Sequence, residues 1–213
     1  MKVSKVDFSS LLTYTPRGKD EEHFRSRSVM RDLKNDVVLP SGNLMSTSIA
    51  NMIKRQLDRY PFSDYFNENT LLVPTPKSTK QQKDELWVPQ RIVLAMANNG
   101  LGKMRECLSR EIALPRSSTS LASDRPKAKR HYESMKVKEL LDAPREIVLV
   151  DYVITRGATT LGAVNRLADA FPNAKIRVFA AMRTISNPDE FSEIIQPCIG
   201  TITLLNENTW REP

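Results

Sequence analysis

Short apolar runs and amphipathic segments alternate along the second half of the chain. Residues 147–150 and 176–181 are continuous or nearly continuous apolar runs, which are typical of strands buried on both faces of a parallel sheet. Between them, Leu161, Val164 and Leu167 recur at helical spacing. We therefore predict a βαβ unit over residues 146–181, with a right-handed crossover.

The same alternation extends in both directions. Residues 70–74 form a short apolar run that is halted by Pro74 and Pro76, and residues 85–98 carry an apolar face at helical spacing. Ser41 is placed to cap an earlier helix, and residues 200–205 predict a final strand. The fold class expected is α/β, a doubly wound, mainly parallel sheet with flanking helices, in which ligands bind beyond the carboxyl ends of the strands.

Two segments depart from this pattern. Residues 1–40 mix charges of both signs with little periodicity, so we predict an irregular or partly helical segment there. The domain division that follows is an N-terminal extension over residues 1–60, serving as a hood or an interface, and a main domain over residues 61–213. Residues 115–138 are polar, rich in serine and strongly basic, which predicts an exposed mobile loop.

Composition narrows the class of protein. With 213 residues, 40% hydrophobic and 27% charged, the chain can bury the core of one ordinary α/β domain with elaborations. It has no apolar stretch long enough to span a membrane and no signal-peptide pattern at its start, so we expect a cytoplasmic location. Its 2 cysteines and 2 histidines form no cluster, which argues against a zinc site or a Cys–His nucleophile.

The net charge of +7 predicts anionic partners such as phosphates, nucleotides or nucleic acid, because a summed positive field attracts polyanions whatever the fold. Charge does not choose among these partners. The oligomeric state is equally open.

The most informative segment runs from the strand at residue 148 to residue 159. Gly157 lets a backbone approach a ligand closely, Thr155 and Thr159 offer hydroxyls, and the first amides of a helix attract anions. A phosphate monoester is the expected ligand, with Asp151 near sugar hydroxyls or Mg²⁺. The ordinary alternative is a strand–turn–helix junction in which Asp151 and Thr155 only cap the helix. An ATP-binding P-loop is excluded, because Ala163 stands where its lysine belongs.

These residues resemble the phosphoribosyl-pyrophosphate (PRPP) motif of the type I phosphoribosyltransferase family, an apolar run, two acids, two apolar residues and a Thr/Asp-x-Gly-x-Thr loop. The chain looks most like the ComF-like, amidophosphoribosyltransferase-related branch. Residues 73–76 resemble its first strand and pyrophosphate loop, and residues 125–137 resemble its basic flexible loop. The resemblance covers about residues 70–184, and Arg183 also fits the branch.

The resemblance implies that PRPP loses pyrophosphate and that a nitrogen nucleophile adds to its anomeric carbon. Asp151 would bind the ribose hydroxyls and act indirectly on Mg²⁺. The 5′-phosphate would be bound by Thr155, Arg156, Gly157, Ala158 and Thr159. The pyrophosphate would be bound by Lys77, Ser78 and Thr79. The basic residues expected to close over the leaving group are Arg125, Lys127 and Arg130.

The sequence departs from the motif at Tyr152, which replaces the second acid, and at Arg156, where a small residue is usual. Two hypotheses therefore stand: a phosphoribosyltransferase that uses PRPP and Mg²⁺, or a PRPP- or nucleotide-sensing or scaffold subunit without turnover. Family analogy links ComF-like domains to DNA uptake and antiphage systems, which implies a nucleic acid or a nucleic-acid-binding protein as partner. For His131, a surface position is expected rather than a general base.

Overall fold

The computed structural model describes residues 1–82, 84–115, 125–138, 140 and 142–213. Its β-strands are β1 (Lys5–Tyr14), β2 (Leu71–Pro74), β3 (Lys103–Met104), β4 (Leu108–Arg110), β5 (Met135–Val137), β6 (Glu146–Ile154), β7 (Lys175–Thr184), β8 (Ile195–Leu205) and β9 (Asn208–Glu212). Its α-helices are α1 (Glu21–Asn35), α2 (Met45–Gln56), α3 (Val88–Asn98), α4 (Ala128–Glu133) and α5 (Ala158–Ala170).

Seven strands form one sheet in the order β3-β2-β6-β7-β1-β8-β9. The first five of these run parallel to their neighbours, whereas β8 and β9 add antiparallel strands at one edge. A separate antiparallel pair, β4 with β5, lies outside the main sheet. The βαβ unit predicted from residues 146–181 is confirmed as β6, α5 and β7.

Helices cover both faces of the sheet, because alternate residues of its central strands point into two different cores. Val148 and Val150 of β6 pack into the cluster that holds Leu33, Ile49 and Ile92 of α1, α2 and α3. Ile147 and Leu149 of the same strand pack into a second cluster with Leu161 and Leu167 of α5. The doubly wound α/β class predicted from the sequence is therefore confirmed.

The prediction of an irregular or partly helical segment over residues 1–40 holds for helix α1 but missed strand β1. Residues 5–14 form β1, which lies inside the sheet between β7 and β8. Phe8 pairs with Val178 on one side and with Gly200 on the other. The hydrophobic pattern of the sequence did not predict β1, because Ser9 and Ser10 stand where aliphatic residues are expected in a central strand, and both are fully buried.

Several element boundaries also differ from the sequence prediction. Helix α2 begins after Leu44 rather than at Ser41, and α3 begins at Val88 rather than Glu85. The basic segment was predicted as a loop throughout, but residues 128–133 form α4 and residues 135–137 form β5. Residues 116–124 lie outside the described part of the chain. None of the helices in the described ranges is long and apolar enough to cross a membrane.

Candidate functional site

The neighbouring strands β2 and β6 define the crevice of the sheet. From β2 the chain moves outward to β3, whereas from β6 it moves the other way to β7. Open α/β sheets bind ligands where the strand order reverses in this manner, beyond the carboxyl ends of the strands. Pro74 at the end of β2 pairs with Val150, and the Thr75 amide donates to the Val150 carbonyl at 2.9 Å. Asp151 and the residues after Thr75 thus lie at the crevice.

Asp151 is buried, with 8% of its surface exposed. Its Oδ1 accepts a hydrogen bond of 2.8 Å from the Tyr152 amide. Burial raises the pKa of Asp151 from 3.8 to about 6, against the lowering effect of the Tyr152 and Val153 amides and of the Thr75 hydroxyl. The Thr75 hydroxyl is buried and makes no hydrogen bond of ordinary geometry. It lowers the pKa of Asp151 because it lies close to the carboxylate. Asp151 is thus bound to its own backbone and largely removed from solvent.

Tyr152 points to the opposite face of the sheet from Asp151. Its ring packs against the core under α1, α2 and α3, the same cluster on which Tyr14 and Ile194 lie. The phenol that replaces the expected second acid therefore has a packing role, and the two neighbours do not form a pair on one side of β6.

Residues 155–159, which we call the phosphate loop, connect β6 to α5. Gly157 is the N-cap residue of α5 and has a left-handed backbone with φ of 84°, and no side chain caps the helix. Thr155 and Arg156 are exposed, and Ala158 and Thr159 are partly exposed. An uncapped helix N-terminus presents amide donors and the positive end of the helix dipole, which together favour an anion.

Arg211 of β9 holds the first residue of this loop. Its Nε donates to the Thr155 carbonyl at 2.7 Å, and its Nη2 donates to the Thr184 carbonyl at 2.6 Å. The hydroxyls of Thr155 and Thr184 also lie 3.0 Å apart. Burial, with a contribution from the charge of Arg183, lowers the pKa of Arg211 to about 10, so Arg211 stays protonated at neutral pH. The end of β6 and the end of β7 are therefore clamped together by one cation.

Thr159 contacts the one histidine near the loop. Its Oγ1 lies 3.2 Å from Nε2 of His131 on α4. His131 is only 2% exposed, so the predicted surface position was wrong. Burial, helped by the charge of Arg110, lowers the pKa of His131 to about 4, and the ring is therefore neutral at pH 7. A neutral imidazole here acts as a hydrogen-bonding partner of Thr159.

Residues 77–79 follow the carboxyl end of β2. Nζ of Lys77 forms an ion pair with Oε1 of Glu85 at 2.8 Å, and the Lys77 carbonyl accepts a 2.8 Å hydrogen bond from Nε of Arg110. A cleft of about 310 Å³ opens beside them; its lining comprises Pro76, Lys77, Thr79, Lys80, Gln81, Trp87, Glu106, Leu108, Ser109, Arg110 and Glu111. None of residues 151–159 lines this cleft. This cleft therefore has no lining residue in common with the predicted phosphate-binding segment.

The predicted basic loop is partly ordered in the residues described. Nζ of Lys127 pairs with Oε2 of Glu207 at 2.8 Å, in the turn between β8 and β9. Arg130 lies on the exposed side of α4, and Arg125 is exposed before it. Arg130 therefore lies on a helix, and the prediction that it lies in a flexible loop was wrong.

The residues at the crevice do not build a metal site. In the described ranges, no three His, Cys, Asp or Glu side chains come together in a group that could hold a metal ion. The carboxylate of Asp151 is buried against backbone amides, whereas Mg²⁺ prefers accessible carboxylate oxygens and keeps several waters. The predicted action of Asp151 on Mg²⁺ therefore has no geometric support in this arrangement.

Sequence reasoning missed Arg110 and Arg211, although each holds a predicted loop in place. Both lie on short strands outside the βαβ unit, and their positions follow from tertiary packing. The sequence offers one weak signal for Arg110, which ends the segment Cys107-Leu108-Ser109-Arg110 with its two apolar residues, and none for Arg211 beyond its place after Trp210. A buried arginine has no recognisable spacing in sequence.

No protein-family model matches the sequence, and no curated protein matches it. Among solved structures, two crystal forms of a hypoxanthine phosphoribosyltransferase from Staphylococcus aureus are similar to the chain. Their identities are 9% and 12%, each with a TM-score of 0.36, over 67% and 68% of this chain and 73% and 75% of theirs. A hypoxanthine phosphoribosyl transferase from Trypanosoma cruzi has 10% identity and a TM-score of 0.33 over 76% of each chain. TM-scores this low do not support an argument about the fold. The assignment of the architecture therefore depends on the strand order described above.

Proposed function

We propose that the protein binds a 5′-phosphoribosyl ligand such as PRPP, with the 5′-phosphate at the phosphate loop. One observation supports this most strongly: α5 begins without a side-chain cap at the carboxyl end of β6, beside the strand-order reversal. Thr155, Gly157 and Thr159 match the fixed positions of the family's phosphate-binding loop in sequence, whereas Arg156 stands where a small residue is usual. Hydroxyls, amides and Arg156 would provide donors to a dianionic phosphate there.

The catalytic version of this proposal is transfer of the phosphoribosyl group to a nitrogen nucleophile with release of pyrophosphate. Residues 77–79 would face the diphosphate, and exposed Lys127 and Arg130 would neutralise the leaving group, since positive charge held near a developing anion is often the largest catalytic contribution. No step of this proposal runs through Mg²⁺.

A second candidate is a binding protein without turnover. Two observations favour it: Asp151 is buried and bound to its own backbone, and Tyr152 packs into the core on the opposite face. Neither residue then supplies the accessible acidic pair that would hold ribose hydroxyls. In this second version the protein binds the ligand without converting it, and the basic surface near α4 binds a nucleic acid or a nucleic-acid-binding protein.

Calorimetric titration with ribose 5-phosphate and with PRPP, each with and without Mg²⁺, tests the proposal. The informative variant is Arg156→Glu, because Arg156 is exposed and its substitution leaves the core intact. Arg55→Glu on α2 is the matched control, since it makes the same charge change at an exposed site on the other face. Loss of one charge-assisted contact costs about 1.5–3 kcal/mol, or roughly ten- to a hundredfold in affinity.

Binding by the wild type, weakened by Arg156→Glu and unchanged by Arg55→Glu, would support the phosphate loop as the binding site. An assay for pyrophosphate release with candidate amines then separates the two versions. If the wild type binds neither ligand, or if both variants behave alike, the proposed function is wrong.

A further inference from the structure

A chain of buried polar contacts connects the two predicted anion-binding loops through β4 and α4. It starts at the Lys77 carbonyl, which accepts from Nε of Arg110 at 2.8 Å. Nη1 of Arg110 donates to the Ser134 hydroxyl, and that hydroxyl donates to the His131 carbonyl at 2.8 Å. The His131 ring completes the chain at Thr159, 3.2 Å away. We call this set of contacts the relay.

Burial makes the relay stiff. Arg110, Ser134 and His131 are 4%, 2% and 2% exposed. A buried polar group that loses its partner is left both desolvated and unpaired, so each member is held to its neighbour. Nη2 of Arg110 has no hydrogen-bond partner among the described residues. The relay is therefore only partly satisfied, a state that proteins retain mainly where it has a use.

Close packing at one glycine joins the relay to α5. A Cβ added to Gly162 would lie 2.7 Å from the Ala128 carbonyl oxygen and 2.7 Å from the His131 Cβ. Helix α4 therefore rests directly on the first turns of α5, and His131 cannot shift without moving Thr159 or the helix.

We propose that Arg110, Ser134 and His131 are positioning residues that fix the distance and orientation between residues 77–79 and the phosphate loop. This inference rests on the proposed function, since it assigns to the same site a ligand with two anionic groups, one at each loop. A ligand that spans both loops gains affinity from their fixed separation, whereas a ligand that uses one loop gains little.

The relay is tested with Ser134→Ala, which removes one hydroxyl from its middle and adds no bulk. Ser26→Ala is a matched control, because the buried Ser26 hydroxyl also donates to the carbonyl three residues earlier, at 2.9 Å, but on α1. Titrations use ribose 5-phosphate, pyrophosphate and PRPP. In Ser134→Ala we expect about a tenfold loss for PRPP and less than about threefold for each one-loop ligand.

A second pair of variants separates positioning from general support of the fold. His131→Phe keeps a ring but removes the bond to Thr159, and we expect the same selective loss for PRPP. His131→Gln offers a nitrogen at a similar reach, so it should recover most of that affinity. Equal losses for all three ligands, or no recovery in His131→Gln, would overturn the positioning role.

Hydrogen exchange without ligand gives an independent readout. Ser134→Ala should speed amide exchange both at residues 77–80 and at residues 157–160, and Ser26→Ala should change neither. A change confined to α4 would refute the relay even if PRPP binds. Failure of the wild type to bind any of the three ligands would refute the proposed function, while the exchange result would still decide whether the relay couples the two loops.

Discussion

Gly157 lies against Ile202 of β8, so that a Cβ added to Gly157 would sit 2.7 Å from Cγ2 of that isoleucine. The glycine is therefore required by packing inside the protein as well as by its left-handed backbone. Replacing it with valine to block a ligand, the simplest test that the motif suggests, would disturb the fold first.

Gly157→Ala is expected to lower the free energy of unfolding by about 2–4 kcal/mol, because a backbone penalty for φ of 84° adds to the clash with Ile202. Gly42→Ala is the control, since Gly42 has φ of 81° and open space around its added Cβ. It should cost about 1–2 kcal/mol, the backbone penalty alone. Denaturant unfolding measures both, and equal losses would show that Ile202 is not the cause.

Asp151→Asn is expected to stabilise the protein at alkaline pH. Burial raises the pKa of Asp151 in the folded state from 3.8 to about 6, so its charged form is disfavoured by folding. The destabilisation is fully present above pH 6 and vanishes below the unfolded-state pKa, near pH 4. The gain in unfolding free energy is at most about 3 kcal/mol at pH 8.

Urea unfolding of the wild type and Asp151→Asn at several pH values measures this difference. It should shrink steadily as the pH falls from 7 to 4. A difference that stays constant over that range would mean that Asp151 does not titrate as a buried carboxyl.

Arg211→Lys is expected to loosen the phosphate loop with little change in charge. Arginine reaches two carbonyls, those of Thr155 and Thr184, and a single lysine ammonium does not reproduce that forked geometry. Amide exchange at residues 155–157 should become faster, and ribose 5-phosphate affinity should fall about three- to tenfold by loss of one hydrogen bond. If neither the exchange rate nor the affinity changes, Arg211 does not hold the phosphate loop in place.

Nucleic-acid binding is expected to depend on the exposed side of α4. The double variant Lys129→Ala/Arg130→Ala removes two exposed cations there, and Lys54→Ala/Arg55→Ala removes an equivalent pair from α2. Affinity for duplex DNA should fall steeply with salt, and the α4 variant should lower the slope of log K against log salt by about 2. Titration by fluorescence anisotropy measures both slopes.

Absent binding, a salt-independent affinity or equal effects of the two pairs would refute a nucleic-acid role for this surface. The ion pair between Lys127 and Glu207 is untouched by either variant, so the local structure before α4 should be retained.

The sequence predicted the centre of the fold well, because its signals there are local. Residues 147–150 are apolar on both faces, and Leu161, Val164 and Leu167 mark the helix that follows. The parallel pairing of β6 with β7 and the placement of helices on both sides of the sheet follow from such patterns. The position of the phosphate loop at the end of β6 was predictable for the same reason.

What the sequence did not reveal depends on partners far away along the chain. Ser9 and Ser10 look like loop residues until their neighbours are known: the Ser9 hydroxyl reaches the Val178 carbonyl at 3.4 Å, and the Ser10 hydroxyl lies 3.3 Å from Sγ of Cys198. His131 looks like a surface residue among lysines and arginines, but one turn of α4 places it in the interior. Polar residues that are buried by tertiary contacts do not contribute to the hydrophobic periodicity of the sequence, so the pattern does not predict their burial.

The central place of β1 has a consequence for how the protein is made. Both of its partners are synthesised late, since Phe8 pairs with Val178 and Lys5 pairs with Thr203. Strand β1 must therefore wait until the residues of β7 and β8 have been synthesised before its backbone is hydrogen-bonded on either side. Such non-local pairing slows folding and leaves strand edges open in the meantime. Nascent chains that stop before residue 175 therefore carry an unpaired β1, whose open edges favour aggregation or chaperone binding.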